Sequence, residues 1–226
     1  MSSDVDQTKY SDCGYVVSTW NTTIKRGLDI MLSLVILLIV SPVLLLIWIS
    51  IRFTSEGPVV FRQARVGKDG LEFIILKFRT MIHNAPDLRN PDNSTFNSDN
   101  DPRVTKVGGL LRRTSLDELP QLINVIRGEM SLVGPRPELP DGPKTYLPHQ
   151  FARLQVRPGM TGWVAVNGRN NTSINKKRDM DAWYAENWTL SLDARILWRT
   201  VIVVLCRQGV NGEWDIPWAP SVAKKL

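Results

Sequence analysis

Cysteine and histidine are nearly missing from this chain. Cys13 and Cys206 stand at opposite ends with neither a disulfide framework nor zinc spacing between them, and His83 and His149 are too few for a histidine-built metal site. Disulfide scaffolds and zinc enzymes are disfavoured, and each histidine reads as a surface or satisfied residue. The sequence has no Walker phosphate loop, no dinucleotide glycine fingerprint and no internal repeat. Long runs of one charge sign are missing too: 28 Lys and Arg stand dispersed against 22 Asp and Glu, so the net +6 makes no nucleic-acid tail, and no nucleic-acid partner is expected. Such a basic balance suits a membrane surface or a phosphorylated substrate. At 226 residues the chain has room for one domain, or one plus an appendage.

Charge is nearly absent from Leu28 to Ile51, LDIMLSLVILLIVSPVLLLIWISI, where Asp29 is the single ionisable residue. As a straight helix this span would measure ~36 Å at 1.5 Å per residue, enough to cross a bilayer. It is no cleavable signal, because residues 1–27 precede it and no small-residue cleavage site follows. Ser41-Pro42 lies inside it, and proline removes a helical hydrogen bond and crowds the carbonyl four residues back, so a kink is expected there. The legs Leu28–Val40 and Val43–Ile51 would measure ~20 Å and ~14 Å, each short of a ~30 Å hydrocarbon core. Lys25 and Arg26 precede the span and Arg52, Arg62, Arg65 and Lys68 follow it; basic residues mark the cytoplasmic side, and a re-entrant hairpin keeps both flanks there. On the residues alone, a crossing helix with an ordinary proline kink stays open beside the hairpin.

Residues 1–23 are polar and aperiodic and read as a leader without chemistry. Val59–Arg65 and Leu71–Phe78, rich in β-branched and aromatic residues around Gly67-Lys68-Asp69-Gly70, predict an antiparallel hairpin. Asn84–Pro102 has loop composition, either solvated surface or a lid. Leu119, Leu122, Ile123 and Ile126 share a helical face. Leu190–Cys206 is an apolar run carrying Arg195, Trp198 and Arg199, which fits an interfacial helix or a buried core helix.

The chemistry concentrates in Leu110–Gln121, LLRRTSLDELPQ. Ser115 and Glu118 have the spacing of a capping box, a structural role for both. The same stretch also supports a functional role: Arg112 and Arg113 with helix-terminal amides would keep Asp117 ionised and attract a phosphoryl group. Aspartate can attack phosphorus, and an adjacent glutamate can hold magnesium.

Further motifs accompany it in order: Phe61, Gln63, Arg65 and Gly67 at alternate positions; Lys77-Phe78-Arg79-Thr80-Met81; Asp101-Pro102-Arg103-Val104-Thr105; Gly134-Pro135-Arg136-Pro137; Arg157-Pro158-Gly159-Met160-Thr161-Gly162-Trp163; and Asn167-Gly168-Arg169. With Ser41-Pro42 and Ser115-Leu116-Asp117-Glu118-Leu119-Pro120-Gln121, this ordered set resembles the bacterial sugar transferases, or monotopic phosphoglycosyl transferases, from Lys25 to about Gly209. The chain is similar to the minimal members, without the four transmembrane helices or fused sugar-modifying domain of larger ones.

The resemblance implies that Asp117 is the nucleophile on the β-phosphate of a UDP-sugar, expelling UMP, and that polyprenyl phosphate then takes the phosphosugar from the aspartate. It implies Glu118 as the magnesium-binding partner and Arg112 as a phosphate contact. Arg79, Arg103, Arg136, Arg157 and Arg169 stand in matched motifs as further substrate- or phosphate-binding candidates, any of which could instead be a structural ion pair. For Lys77 and Trp163, hairpin or core packing is at least as good an account. The implied fold is α+β and mostly helical. It has a polar leader (1–23), a re-entrant membrane hairpin kinked at Ser41 and Pro42 (24–52), and a cytosolic catalytic domain (53–226) with a small antiparallel β-hairpin and amphipathic interfacial helices. The implied location is the bacterial cytoplasmic membrane, with membrane lipids as partners and a homodimer left open. A catalytically silent scaffold that binds lipid phosphate is the competing class, and the presence of both carboxylates and Arg112 argues against it. A polytopic transferase needs more than one apolar span.

Overall fold

Helix α1, Thr19–Thr54, opens the described structure, a computed structural model that covers residues 19–88, 101–167 and 173–206. The chain stays helical through Ser41-Pro42, so the two expected legs are parts of one helical element. A local repair accounts for this. Proline has no N–H to give the carbonyl of Leu38 four residues back, and the Ser41 hydroxyl donates to that same carbonyl at 2.8 Å.

Hairpin β1 (Val60–Val66) and β2 (Glu72–Phe78) is antiparallel, pairing Val60 with Phe78 through Val66 with Glu72. The expected strands are thus present within a residue. The connection is a 3-10 turn, Lys68–Gly70, with Asp69 at φ 56°. Phe73 and Ile75 face the core, and Lys77 shares their side of the strand.

Helix α3 (Gln121–Arg127) lies along the free edge of β2, where Asn124 substitutes for a missing strand. Its side-chain amide donates to the carbonyl of Ile74 at 2.8 Å and accepts from the N–H of Leu76 at 3.0 Å. Asn124 is fully buried, so Asn124→Ala strands two backbone groups. The expected cost is about 3 kcal/mol, seen as a fall in Tm of roughly 5–10 °C in a detergent-solubilised thermal melt; an unchanged Tm would refute the edge-capping role.

The remaining elements are α2 (Lys106–Thr114), β3 (Ser131–Val133), β4 (Gly159–Thr161), α4 (Trp163–Val166), α5 (Ile174–Glu186) and α6 (Leu190–Cys206). Strands β3 and β4 pair in parallel, a pairing not anticipated from the sequence. The main core joins Phe73, Leu122, Val125, Leu132, Tyr184 and Ile196, with Trp163 packed on Trp183, so Trp163 is a core residue. A second core joins Ile47 and Ile51 of α1 to Val59, Phe78 and Leu111.

Both parts of α1 are fastened to this body. Near its start, Lys25 donates to Asp193 at 2.5 Å, Asp29 accepts from the N–H of Leu132 at 3.2 Å, and Arg26 donates to the carbonyls of Val125 and Ile126 at the end of α3. Near its finish, Ile47 and Ile51 enter the second core. Between them Leu38 and Ile39 are 77% and 70% exposed. The helix is long and apolar enough to cross a membrane, and this uncovered apolar surface suggests membrane association. Helix α6 buries Leu192 and Ile196 in the core but leaves Trp198 69% exposed with Val201 beside it.

Candidate active site

Three elements converge on Asp117 and Glu118. Helix α2 ends at Ser115, which adopts a left-handed conformation (φ 56°) while its N–H closes on the carbonyl of Arg112. The expected capping box is therefore not formed: Ser115 makes no side-chain cap bond, and Asp117 and Glu118 lie in a single 3-10 turn, Leu116–Glu118, ahead of α3. The reversal at Ser115 places the last turn of α2, with Arg112, against that turn.

Glu118 is tied down. Its Oε1 lies 2.7 Å from the Lys77 ammonium and 3.3 Å from the Arg136 guanidinium. Lys77 comes from the end of β2 and is mostly buried, which lowers its pKa, although Glu118 opposes that shift. Arg136 is 61% exposed, and the charge of Glu118 raises its pKa. Asp117 differs: among the described residues its carboxylate accepts no hydrogen bond. Partial burial, and then the neighbouring charge of Glu118, push its pKa up, while Lys77, Arg112 and Arg136 pull it down.

Close backbone approaches hold the cations. A side chain at Gly108 would come within 2.0 Å of the carbonyl oxygen of Thr80, so α2 lies directly on that backbone. One turn on, Arg112 Nε donates to Thr80 Oγ1 at 2.9 Å. Gly134 and Gly159 touch backbone to backbone, and a Cβ on Gly134 would meet the carbonyl oxygen of Arg157 at 2.3 Å. The two glycine-proline motifs are therefore one structure, the parallel β3–β4 pair, from which Arg136 emerges.

Behind Arg136 lies a buried ionic network that sequence analysis missed. Arg153 donates to the carbonyl of Arg136 at 2.8 Å, to Asp181 at 2.7 Å and to Glu138 at 2.6 Å, and also to the Tyr146 hydroxyl. Arg178 closes on the other oxygen of Glu138 at 2.9 Å. Burial pushes the Asp181 carboxyl up to about 6 against the pull of Arg153.

The other predicted arginines lie elsewhere. Arg103 forms a buried pair with Asp101 at 2.6 Å and donates to the carbonyl of Pro86; most of the expected loop Asn84–Pro102 lies outside the described residues. Its hydrogen bonds hold the Asp101 carboxyl down at about 2. Arg157 donates to the carbonyl of Gly128, just after α3. Arg79 donates to Ser55 beyond the end of α1. Arg169 lies outside the described residues. His149 pairs with Asp179 at 2.8 Å, a satisfied surface residue. Lys77, for which packing was at least as good an account from the sequence, lies against Glu118. Its signal was an ammonium on the inward face of a strand, in phase with Phe73 and Ile75.

The family model described as bacterial sugar transferase matches residues 20–207. Among curated relatives, the chain is 42% identical over 197 residues to the undecaprenyl-phosphate galactose phosphotransferase of Salmonella typhimurium, covering 82% of this chain and 41% of that protein. It is 43% identical over 189 residues to the UDP-glucose:undecaprenyl-phosphate glucose-1-phosphate transferase of Escherichia coli, covering 80% and 40%. It is 41% identical over 196 residues to the exopolysaccharide production protein ExoY of Rhizobium meliloti, covering 82% and 87%. The chain thus spans about two-fifths of the length of the first two relatives and most of the third.

Proposed function

The chain belongs to the bacterial sugar transferase family, and on that premise we propose that it moves a sugar-1-phosphate from a UDP-sugar to polyprenyl phosphate and releases UMP. The observation that carries this reading is the asymmetry of the carboxylate pair. Glu118 is clamped by Lys77 and Arg136, whereas Asp117 beside it accepts no hydrogen bond among the described residues and feels the charges of Lys77, Arg112 and Arg136. A nucleophile needs free lone pairs, and a phosphate needs the cations.

In the proposed scheme the ionised Asp117 oxygen attacks the β-phosphorus of the donor. The new bond joins carboxylate to phosphorus, and the bond to UMP breaks with its electron pair leaving on UMP. An oxygen of the lipid phosphate then attacks the same phosphorus, restoring Asp117 and giving the polyprenyl diphosphate sugar. Arg112 and Arg136 hold the phosphoryl oxygens by guanidinium forks, and Lys77 adds a point charge.

Among the described residues no third His, Cys, Asp or Glu joins the pair in a metal-binding group. Two carboxylates fit magnesium, which takes one or two and fills its other positions with substrate phosphate and water. Glu118, with Asp117 beside it, would hold the ion, which when bound neutralises diphosphate charge.

The attachment of both parts of α1 to one globular body supports a re-entrant arrangement. A crossing helix would carry its ends to opposite faces ~30 Å apart, beyond the reach of a single domain on one face. With basic residues at both ends, the domain sits on the cytosolic side of the cytoplasmic membrane, and Trp198 of α6 faces the interface. The test is UMP release from the purified protein with undecaprenyl phosphate, magnesium and a panel of UDP-sugars. Release with one sugar supports the reading; none with any sugar, from folded protein, overturns it in favour of a silent scaffold.

A further inference from the structure

Four arginines are buried among the described residues: Arg79, Arg103, Arg153 and Arg178. Three have carboxylate partners, Asp101 for Arg103, Asp181 and Glu138 for Arg153, and Glu138 for Arg178. Arg79, 6% exposed, has none. Its NH2 donates to the carbonyl and hydroxyl of Ser55 at 2.9 and 2.7 Å, while Nε and NH1 are buried without any hydrogen-bond partner. Burial lowers its pKa. A buried cation lacking a counter-ion is costly, and two orphaned N–H groups add to the cost.

NH1 lies just under the surface. A Cβ built on Gly57 would lie 2.5 Å from Arg79 NH1 and 2.7 Å from the ring of His83, so the guanidinium sits directly beneath these two residues, both exposed. Rotation of the exposed His83 side chain moves its ring without moving backbone. The location is the end of α1, where the exposed Phe53 and Arg52 mark the change from apolar to polar surface.

We propose that Arg79 is a second anion site, separate from the carboxylate pair, that takes a phosphomonoester group at the membrane boundary through Nε and NH1 once His83 swings aside. A guanidinium with two free donors suits a phosphate oxyanion, and an apolar helix ending beside it presents the site at headgroup level. The membrane side of this inference rests on the proposed seating of α1, whereas anion binding itself does not depend on the transferase reaction.

The test uses the full chain in nonionic detergent, without nucleotide sugar, titrated separately with inorganic phosphate, dioctanoyl phosphatidic acid and dioctanoyl phosphatidylcholine. Wild type, Arg79→Gln, His83→Ala and Asp117→Asn are compared by Kd and by Tm. Phosphatidic acid is expected to raise the wild-type Tm by roughly 5 °C at a hundredfold excess over Kd. The same rise in Asp117→Asn separates this site from the reaction centre, so an inactive transferase and an empty Arg79 site give different results. Arg79→Gln should weaken binding at least about tenfold. An equal Kd in wild type and Arg79→Gln overturns the proposal, as does loss of stability in that variant with binding intact, which would mean that another part of the chain pairs with Arg79. If Arg79→Gln does not fold, His83→Ala decides: uncovering the guanidinium should tighten binding about threefold, and an unchanged affinity overturns the site. Preference for phosphatidic acid over inorganic phosphate assigns the ligand to the membrane, and equal binding assigns it to free phosphate.

Discussion

Asp117→Asn is expected to lower turnover by about 10⁴-fold while leaving the Tm unchanged or slightly raised. The two halves of this result have separate causes. Asparagine keeps the shape of the side chain and removes the attacking charge, so no bond to phosphorus forms. In the folded protein, burial and the charge of Glu118 already disfavour the ionised Asp117, so losing that charge relieves repulsion instead of breaking a bond. The proposed role also predicts a covalent species. Wild-type protein given donor without acceptor should gain the mass of a phosphosugar, and the variant should gain nothing. Turnover near wild type in Asp117→Asn would refute the nucleophile assignment, and unfolding of the variant would refute the strain argument.

The second large effect lies away from the carboxylate pair. Arg153→Met leaves Asp181 buried without its guanidinium, leaves Glu138 to Arg178 alone, and frees the carbonyl of Arg136. Breaking a buried pair from one side costs about 3–5 kcal/mol, enough to lower the Tm by roughly 10 °C or more and to release the strand from which Arg136 reaches Glu118. The double variant Arg153→Met/Asp181→Leu removes both charges and should recover part of the loss, because the uncompensated Asp181 is the main penalty. Full activity and an unshifted Tm in the single variant would show that the network holds nothing in place. Recovery of Tm without recovery of turnover in the double variant would separate the folding role of Arg153 from its positioning of Arg136.

The hairpin and α6 were legible because their determinants are local: β-branched and aromatic runs around a glycine-bounded turn in β1 and β2, and a mostly apolar run whose bounds match Leu190–Cys206. Adjacency of Asp117 and Glu118 was legible for the same reason. Ser115 misled because a capping-box spacing states what a residue can do, while the left-handed turn that ends α2 decides what it does. The β3–β4 pair was hidden since each strand is three residues long and its determinant is the fit of Gly134 against Gly159, two remote glycines. The network of Glu138, Arg153, Arg178 and Asp181 was hidden for a related reason. Arg178 and Asp181 lie on the inward face of α5 with Ala182 and Ala185, and a search for apolar periodicity passes over charges that are buried in pairs. Arg103 and Arg157 look like Arg112 in one dimension, and only their partners distinguish them.

Lys25 and Asp29 are completed by groups made much later in synthesis. The N–H of Leu132 lies 103 residues downstream of Asp29, and Asp193 lies 168 residues downstream of Lys25. At about 5–20 residues per second, a ribosome takes roughly 10–30 s to deliver Asp193 after Lys25 has emerged. Throughout that interval Lys25 and Asp29, at the start of α1, have no domain to receive them. They stand one helical turn apart, 3.9 Å from each other in the folded chain, so the new helix carries its own neutralising pair until the body that replaces it has been translated.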